Sequence, residues 1–188
     1  MIPQPHECFQ LMRQYGMLEN IREHSIMVAR VADYLASGLL AAGKEISMPL
    51  IVAGALLHDI GKTQCLYTDE DHARLGREIC ETHRYHELAP IVGEHVVLKN
   101  GVPRFELKEK QIVYYADKRV THDRIVSLEQ RLDYILERYG NDDPGRHQAI
   151  ERNFLVCKEI EQKIFLHLEE DSQDVAAAVF SRQASFSY

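Results

Sequence analysis

The sequence predicts an all-α, single-domain protein, and three observations lead there. Apolar residues recur at spacings of three and four along most of the chain, caps and glycine or proline stops punctuate those stretches, and no period-two alternation is long enough for a strand. At 188 residues the chain suits one domain with a sizeable core of its own. We place that domain at residues 1–170, with C-terminal helices at about 127–168 and a tail at 171–188.

Pro5 to Tyr15 makes a short first helix stopped by Gly16. Asn20 followed by Glu23 has the form of a capping box, and Ile21, His24, Val28, Val31 and Leu35 then line one face of a second helix to about Ala42, ended by Gly43. His24 lies on that apolar face, where a lone histidine is either a satisfied core residue or a ligand. Ser47 caps a third helix, with Pro49 tolerated in its first turn, running through nearly all-apolar sequence to His58. Asp59 follows directly. A carboxylate at the end of a buried helix is costly unless neutralised, and it opposes the negative end of the helix dipole. A bound cation removes both objections; the alternative is an exposed acid with Gly61 as the C′ residue.

Thr68-Asp-Glu-Asp71 starts a fourth helix, in which His72, Leu75 and Ile79 share a face and Gly76 permits close approach of a neighbour. A fifth helix spans about Glu87 to Leu98, with Pro90 in its first turn and Ile91, His95 and Leu98 on one side; His83 and His86 fall in the preceding surface loop. Asn100-Gly101-Val-Pro103 is a turn. Glu106 to Val120 forms a sixth helix whose apolar face, Ile112, Val113, Ala116 and Val120, also carries Asp117. Lys118, Arg119 and Arg124 follow, either as positive charge beside a site or as a solvated helix end. Ser127-Leu-Glu-Gln130 is a capping box for a seventh helix through Tyr139, stopped by Gly140, and Asp143-Pro144 opens an eighth to about Leu168. The tail is either a weak helix around Val175 to Phe180 or mobile.

The formal net charge of −7 argues against broad binding to nucleic-acid polymers or anionic lipid, so an anionic substrate needs a local positive focus. Cys8, Cys65, Cys80 and Cys157 are scattered, without a C-x-x-C pair, and read as reduced packing residues in a cytoplasmic protein. The longest apolar run, Met48 to Leu57, is far short of the ~20 residues that span a bilayer, and Met1 to Gln10 does not read as a signal peptide.

His24, His58, Asp59 and Asp117 thus offer two imidazoles and two carboxylates from three helices. Mixed nitrogen and oxygen donors in that ratio suit Mn, Fe, Co, Ni or Mg in near-octahedral coordination better than structural zinc. A divalent ion with open positions supplies an activated water and polarises a phosphoryl oxygen, which is the chemistry of phosphate-ester hydrolysis.

The ordered set His24, His58-Asp59, Asp117 resembles the signature of the HD superfamily of metal-dependent phosphohydrolases. His58-Asp-Ile-Gly-Lys62 matches its fuller form, and Glu23-His24-Ser25, His72 with Gly76, and His95 support the resemblance over about residues 20–120. The resemblance implies an orthogonal helical bundle with a metal held by His24, His58, Asp59 and Asp117. In two-metal relatives Asp59 would bridge, and His72 and His95 would hold the second ion. Lys62 would meet substrate phosphate, with Arg119 or Arg124 as weaker candidates. Asp59 and Lys62 are the catalytic candidates on a small, nucleotide-like phosphomonoester or phosphodiester. The alternative implied is a non-catalytic nucleotide- or protein-binding regulatory module with a structural metal. The paired histidine and Gly-Tyr-Pro of the cyclic-dinucleotide branch are missing here: Val96 follows His95, and the turn reads Gly101-Val-Pro103.

Overall fold

The computed structural model describes residues 1–68, 70–102 and 106–186. Its helices are α1 (Pro5–Gln14), α2 (Glu19–Ala41), α3 (Met48–Leu57), α4 (His72–Thr82), α5 (Ala89–Gly93), α6 (Glu109–Lys118), α7 (Leu128–Tyr139), α8 (Pro144–Phe165) and α9 (Val175–Ser181). The all-α expectation holds, with one addition. Strands β1 (Val120–Thr121) and β2 (Arg124–Ile125) pair antiparallel, Val120 opposite Ile125 and Thr121 opposite Arg124. This hairpin replaces the last turn expected of the sixth helix. The helix stops because Val126 N–H donates to Arg119 O at 2.8 Å and turns the chain back.

α3 is the central element. Every residue from Leu50 to Leu57 is buried, as expected of a helix apolar on all sides, and α1, α2, α5 and α6 pack around it. Ser47 caps it, its hydroxyl accepting Leu50 N–H at 3.4 Å. The capping boxes expected at Ser127 and the cap at Asp143 are formed: Ser127 Oγ accepts Gln130 N–H at 3.2 Å, and Asp143 Oδ1 accepts Gly145 N–H at 2.8 Å.

Further boundaries differ from the sequence reading, and α6 begins at Glu109 rather than the expected Glu106. α2 begins two residues before the expected start, with Leu18 rather than Asn20 at its cap. Tertiary anchors decide this: Met17 is buried with its N–H on Met12 O, and Leu18 N–H donates to Thr63 Oγ1 at 3.1 Å. α4 begins at His72, with Asp71 as cap accepting Ala73 N–H at 2.9 Å; Asp69 lies outside the described residues, as does Pro103 of the expected turn. α5 is only Ala89–Gly93, so His95 is not on a helix. There Glu94 is drawn inward by Lys110 Nζ at 2.9 Å and Lys99 N–H at 3.2 Å, and two β-branched residues, Val96 and Val97, follow. α8 ends at Phe165, three residues short of the expected Leu168.

At the C-terminus a 3-10 turn (Ser172–Asp174) leads into α9, which packs on α2 through buried Val175 and Val179. Beyond it Ser185 N–H donates to Asp33 Oδ2 at 3.1 Å, and its hydroxyl donates to Asp33 Oδ1. Among the described residues no helix is long and apolar enough to cross a membrane.

Candidate metal centre

Five elements deliver six side chains to one place. α2 brings His24, the end of α3 brings His58 and Asp59, α4 opens with His72, the turn after α5 carries His95, and α6 brings Asp117 near its last turn. All are buried except His72, whose side chain is 28% exposed and faces a cleft.

The ring orientations are fixed from behind. Nδ1 of His24 bonds His122 O at 2.8 Å, Nδ1 of His58 bonds Ala55 O at 2.7 Å, and Nδ1 of His95 bonds Val92 O at 2.7 Å. A carbonyl oxygen only accepts, so each Nδ1 carries a hydrogen, and each ring in its neutral form presents a bare Nε2 lone pair inward. His122 can offer its carbonyl because it sits in the hairpin loop with φ +55°.

Those Nε2 atoms point at carboxylate oxygens. His24 Nε2 lies 3.1 Å from Asp117 Oδ1 and 4.0 Å from Asp59 Oδ2. His58 Nε2 lies 3.4 Å from Asp59 Oδ2 and 3.7 Å from Asp117 Oδ1. On the other side of the same carboxylate, His72 Nε2 is 3.4 Å and His95 Nε2 3.5 Å from Asp59 Oδ1, and the two nitrogens are 3.2 Å apart. Acceptors aimed at acceptors repel unless a cation stands among them. Consistent with that, buried His58 Nε2 and Asp59 Oδ1 have no hydrogen-bond partner among the described residues. Ligand atoms about 2.1 Å from one octahedral ion stand about 3 Å apart, close to these spacings. The donors therefore fit a metal. They form two groups, His24–His58–Asp59 and Asp59–His72–His95, and Asp59 turns one oxygen to each.

The electrostatics reinforce the fit. Burial alone would raise the Asp59 carboxyl, but His58 and Lys62 hold it well below the usual carboxylate range. Asp117 is likewise held low against burial, by Lys118, His24, His58 and Arg131. Burial pushes the His58 imidazolium down, yet Asp59 and Asp117 outweigh it and leave that ring above its ordinary value, a measure of how strongly the pocket attracts positive charge. For His95 burial wins and its pKa falls to about 4, so it is a neutral donor at pH 7.

Beside the cluster opens a cleft of about 580 Å³. Asp59, His72, His95 and Asp117 lie on its floor; Arg131, Ile135, Arg138 and Tyr139 of α7 form one wall, and Ile150, Asn153 and Phe154 of α8 another. Lys62 and Lys118 line it too, each on a carboxylate: Lys62 Nζ donates to Asp59 Oδ2 at 2.7 Å, and Lys118 Nζ donates to Asp117 Oδ2 at 2.7 Å and to His95 O at 2.9 Å. The structure thus brings His24, His58, Asp59, Lys62, His72, His95 and Asp117 together. It does not bring Arg119 or Arg124. The Arg119 guanidinium is buried away from the cleft on Val126 O at 2.7 Å, Ser172 O at 2.9 Å and Tyr115 Oη, and Arg124 is exposed on β2. Arg131 and Arg138 take their place. The i, i+4, i+7 spacing of Arg131, Ile135 and Arg138 puts them on one face of α7, but that spacing is ordinary for an amphipathic helix and does not by itself mark a site.

Comparison with known proteins agrees. The chain matches the HD domain family over residues 21–121, more than half its length. It is 31% identical over 147 residues to a tRNA (cytidine(56)-2'-O)-methyltransferase of Picrophilus torridus, covering 70% of this chain and 40% of the relative. It is 28% identical over 155 residues to an uncharacterized protein of Methanocaldococcus jannaschii, covering 76% and 88% of the two chains. With ribonuclease Y of Clostridium tetani the identity is 29% over 164 residues, 82% of this chain but 28% of the relative. The chain thus spans less than half of the methyltransferase and of ribonuclease Y. No solved structure matches it. The match over residues 21–121 shows that the chain belongs to the HD-domain family.

Proposed function

We propose that the protein is a metal-dependent phosphohydrolase that cleaves a phosphomonoester or phosphodiester of a small, nucleotide-like substrate. The observation that carries this reading is the sharing of Asp59 between two donor groups at the floor of a cation-lined cleft. When bound, divalent ions supply Lewis-acid polarisation of a phosphoryl oxygen and an activated water.

The chain's own residues do the rest. His24, His58, Asp59 and Asp117 would hold one ion, and Asp59, His72 and His95 a second. The Nδ1 bonds behind three of the rings keep Nε2 free and fixed in direction. Lys62 and Lys118 keep Asp59 and Asp117 ionised and place ammonium groups where a phosphate would lie. Burial of the donors excludes water from all but the cleft side, which strengthens these interactions.

Two of the relatives are named for RNA, so the test panel should hold short RNA oligonucleotides as well as mononucleotides and simple esters. Protein stripped of metal and reloaded with Mn, Co or Ni should turn over at least one class, lose activity to a chelator, and lose roughly 100-fold or more in His58→Ala. No turnover across the panel, or an unchanged His58→Ala, refutes the reading. Tight nucleotide binding without turnover would favour the regulatory module instead.

A further inference from the structure

The four cations on the cleft differ in what they face. Lys62 and Lys118 are each engaged by a ligand carboxylate at 2.7 Å. Arg138, at the other end of the α7 wall, pairs with no carboxylate among the described residues; its guanidinium rests over the Tyr139 ring, 5.8 Å from the centroid. Between these extremes, Arg131 reaches Asp117 Oδ1 only at 3.7 Å and Thr121 Oγ1 at 3.5 Å, and its buried Nε has no partner among the described residues.

The position of Arg131 is informative. It lies one turn into α7, near the positive end of that helix dipole, where a cation is disfavoured unless a local anion or ligand holds it. Arg138 is seven residues further on, about 10 Å along the axis at 1.5 Å per residue. The two guanidinium groups therefore mark a line running from the Asp117 side of the cluster outward along the cleft. Ile135 lies between them, and Ile150 and Phe154 face the same space from α8. On a chain of net charge −7 this line is a local surplus of positive charge, carried by a helix outside the residues matched to the family.

Building on the phosphohydrolase reading, we propose that Arg131 and Arg138 form a second anion subsite, so that the substrate carries a second phosphate besides the one cleaved. Arg131 takes the inner position and Arg138 the outer one, with the apolar residues between the walls covering the organic part of the ligand. α7 is then the element that selects among phosphate esters.

The test compares adenosine 5′-monophosphate with adenosine 3′,5′-bisphosphate on Mn-loaded full-length protein, as KM where turnover occurs and as calorimetric Kd in every case. Wild type should favour the bisphosphate at least tenfold, Arg138→Ala should reduce that ratio below about threefold, and Arg138→Lys should restore part of it. Arg146→Ala, an exposed arginine on α8 that does not line this cleft, removes the same charge and should leave the ratio as in wild type. A wild-type ratio near one, a ratio unchanged in Arg138→Ala, or an equal fall in Arg146→Ala would overturn the subsite. A binding preference for the bisphosphate keeps the subsite even if no ester of the wider panel is turned over and the hydrolase reading falls. Turnover without preference keeps the hydrolase reading and overturns the subsite.

Discussion

Asp59 carries the most consequence of any single side chain, because each of its oxygens faces a different donor group. Losing His72 should therefore remove only one ion, while losing Asp59 should weaken both. Elemental analysis after dialysis should find about half the wild-type metal in His72→Ala and little in Asp59→Ala; equal loss in both would mean that Asp59 does not join two sites. Cys65 allows a second test at this scale. Burial pushes the thiols of Cys8 and Cys80 up to about 12 and raises Cys157 further, whereas Cys65 is half-exposed at the cleft edge and is raised by partial burial and by Glu70 and Asp71. Iodoacetamide should modify Cys65 ahead of the other three, with a rate that climbs as pH rises past the thiol's ordinary value near 9, as peptide mapping would show. His24 and Asp117 were legible in the sequence because each breaks an apolar face. Arg131 and Arg138 were not, because an arginine on an amphipathic helix breaks no local rule.

At the scale of elements, two close approaches build the centre. A Cβ on Gly61 would lie 2.7 Å from His72 O and 2.9 Å from Gly76 N, and one on Gly76 would lie 2.7 Å from Val92 Cγ1. The glycine of the His-Asp-Ile-Gly-Lys stretch thus serves contact with α4 rather than a left-handed turn, a role that local spacing could not reveal. Gly61→Ala should cost about 1–3 kcal/mol in denaturant unfolding, since main-chain atoms cannot yield as a flexible side chain would. The hairpin is the other device. His122 at φ +55° presents the carbonyl that holds His24, and its ring packs edge-on against Tyr134 of α7, 5.5 Å between centroids. His122→Val should lose about 1–2 kcal/mol of stability and weaken metal binding, while His122→Asn, which tolerates this backbone, should retain both. Equal metal affinity in the two variants would show that the carbonyl does not position His24. A two-residue strand pair leaves no alternation to detect, and α5 stops early through the tertiary bonds of Glu94; neither was readable from periodicity.

For the molecule as a whole, the helix order and most caps were legible because each is written locally, in Ser47, Ser127, Asp143 and the all-apolar run of α3. The packing of the C-terminal segment was not, since it depends on a partner about 150 residues away: Ser185 bonds Asp33 on α2, the helix that carries His24. Ending the chain after residue 170 would expose the surface under Val175 and Val179 and leave buried Asp33 without Ser185. It should cost about 3 kcal/mol or more, a fall of roughly 6–12 °C in Tm by calorimetry. The most direct measurement on the centre itself is anomalous diffraction from crystals grown with Mn. Two peaks should flank Asp59, one among His24, His58 and Asp117 and the other beside His72 and His95; an absence of peaks there, with ordered Mn elsewhere, would contradict the metal centre on which the function rests.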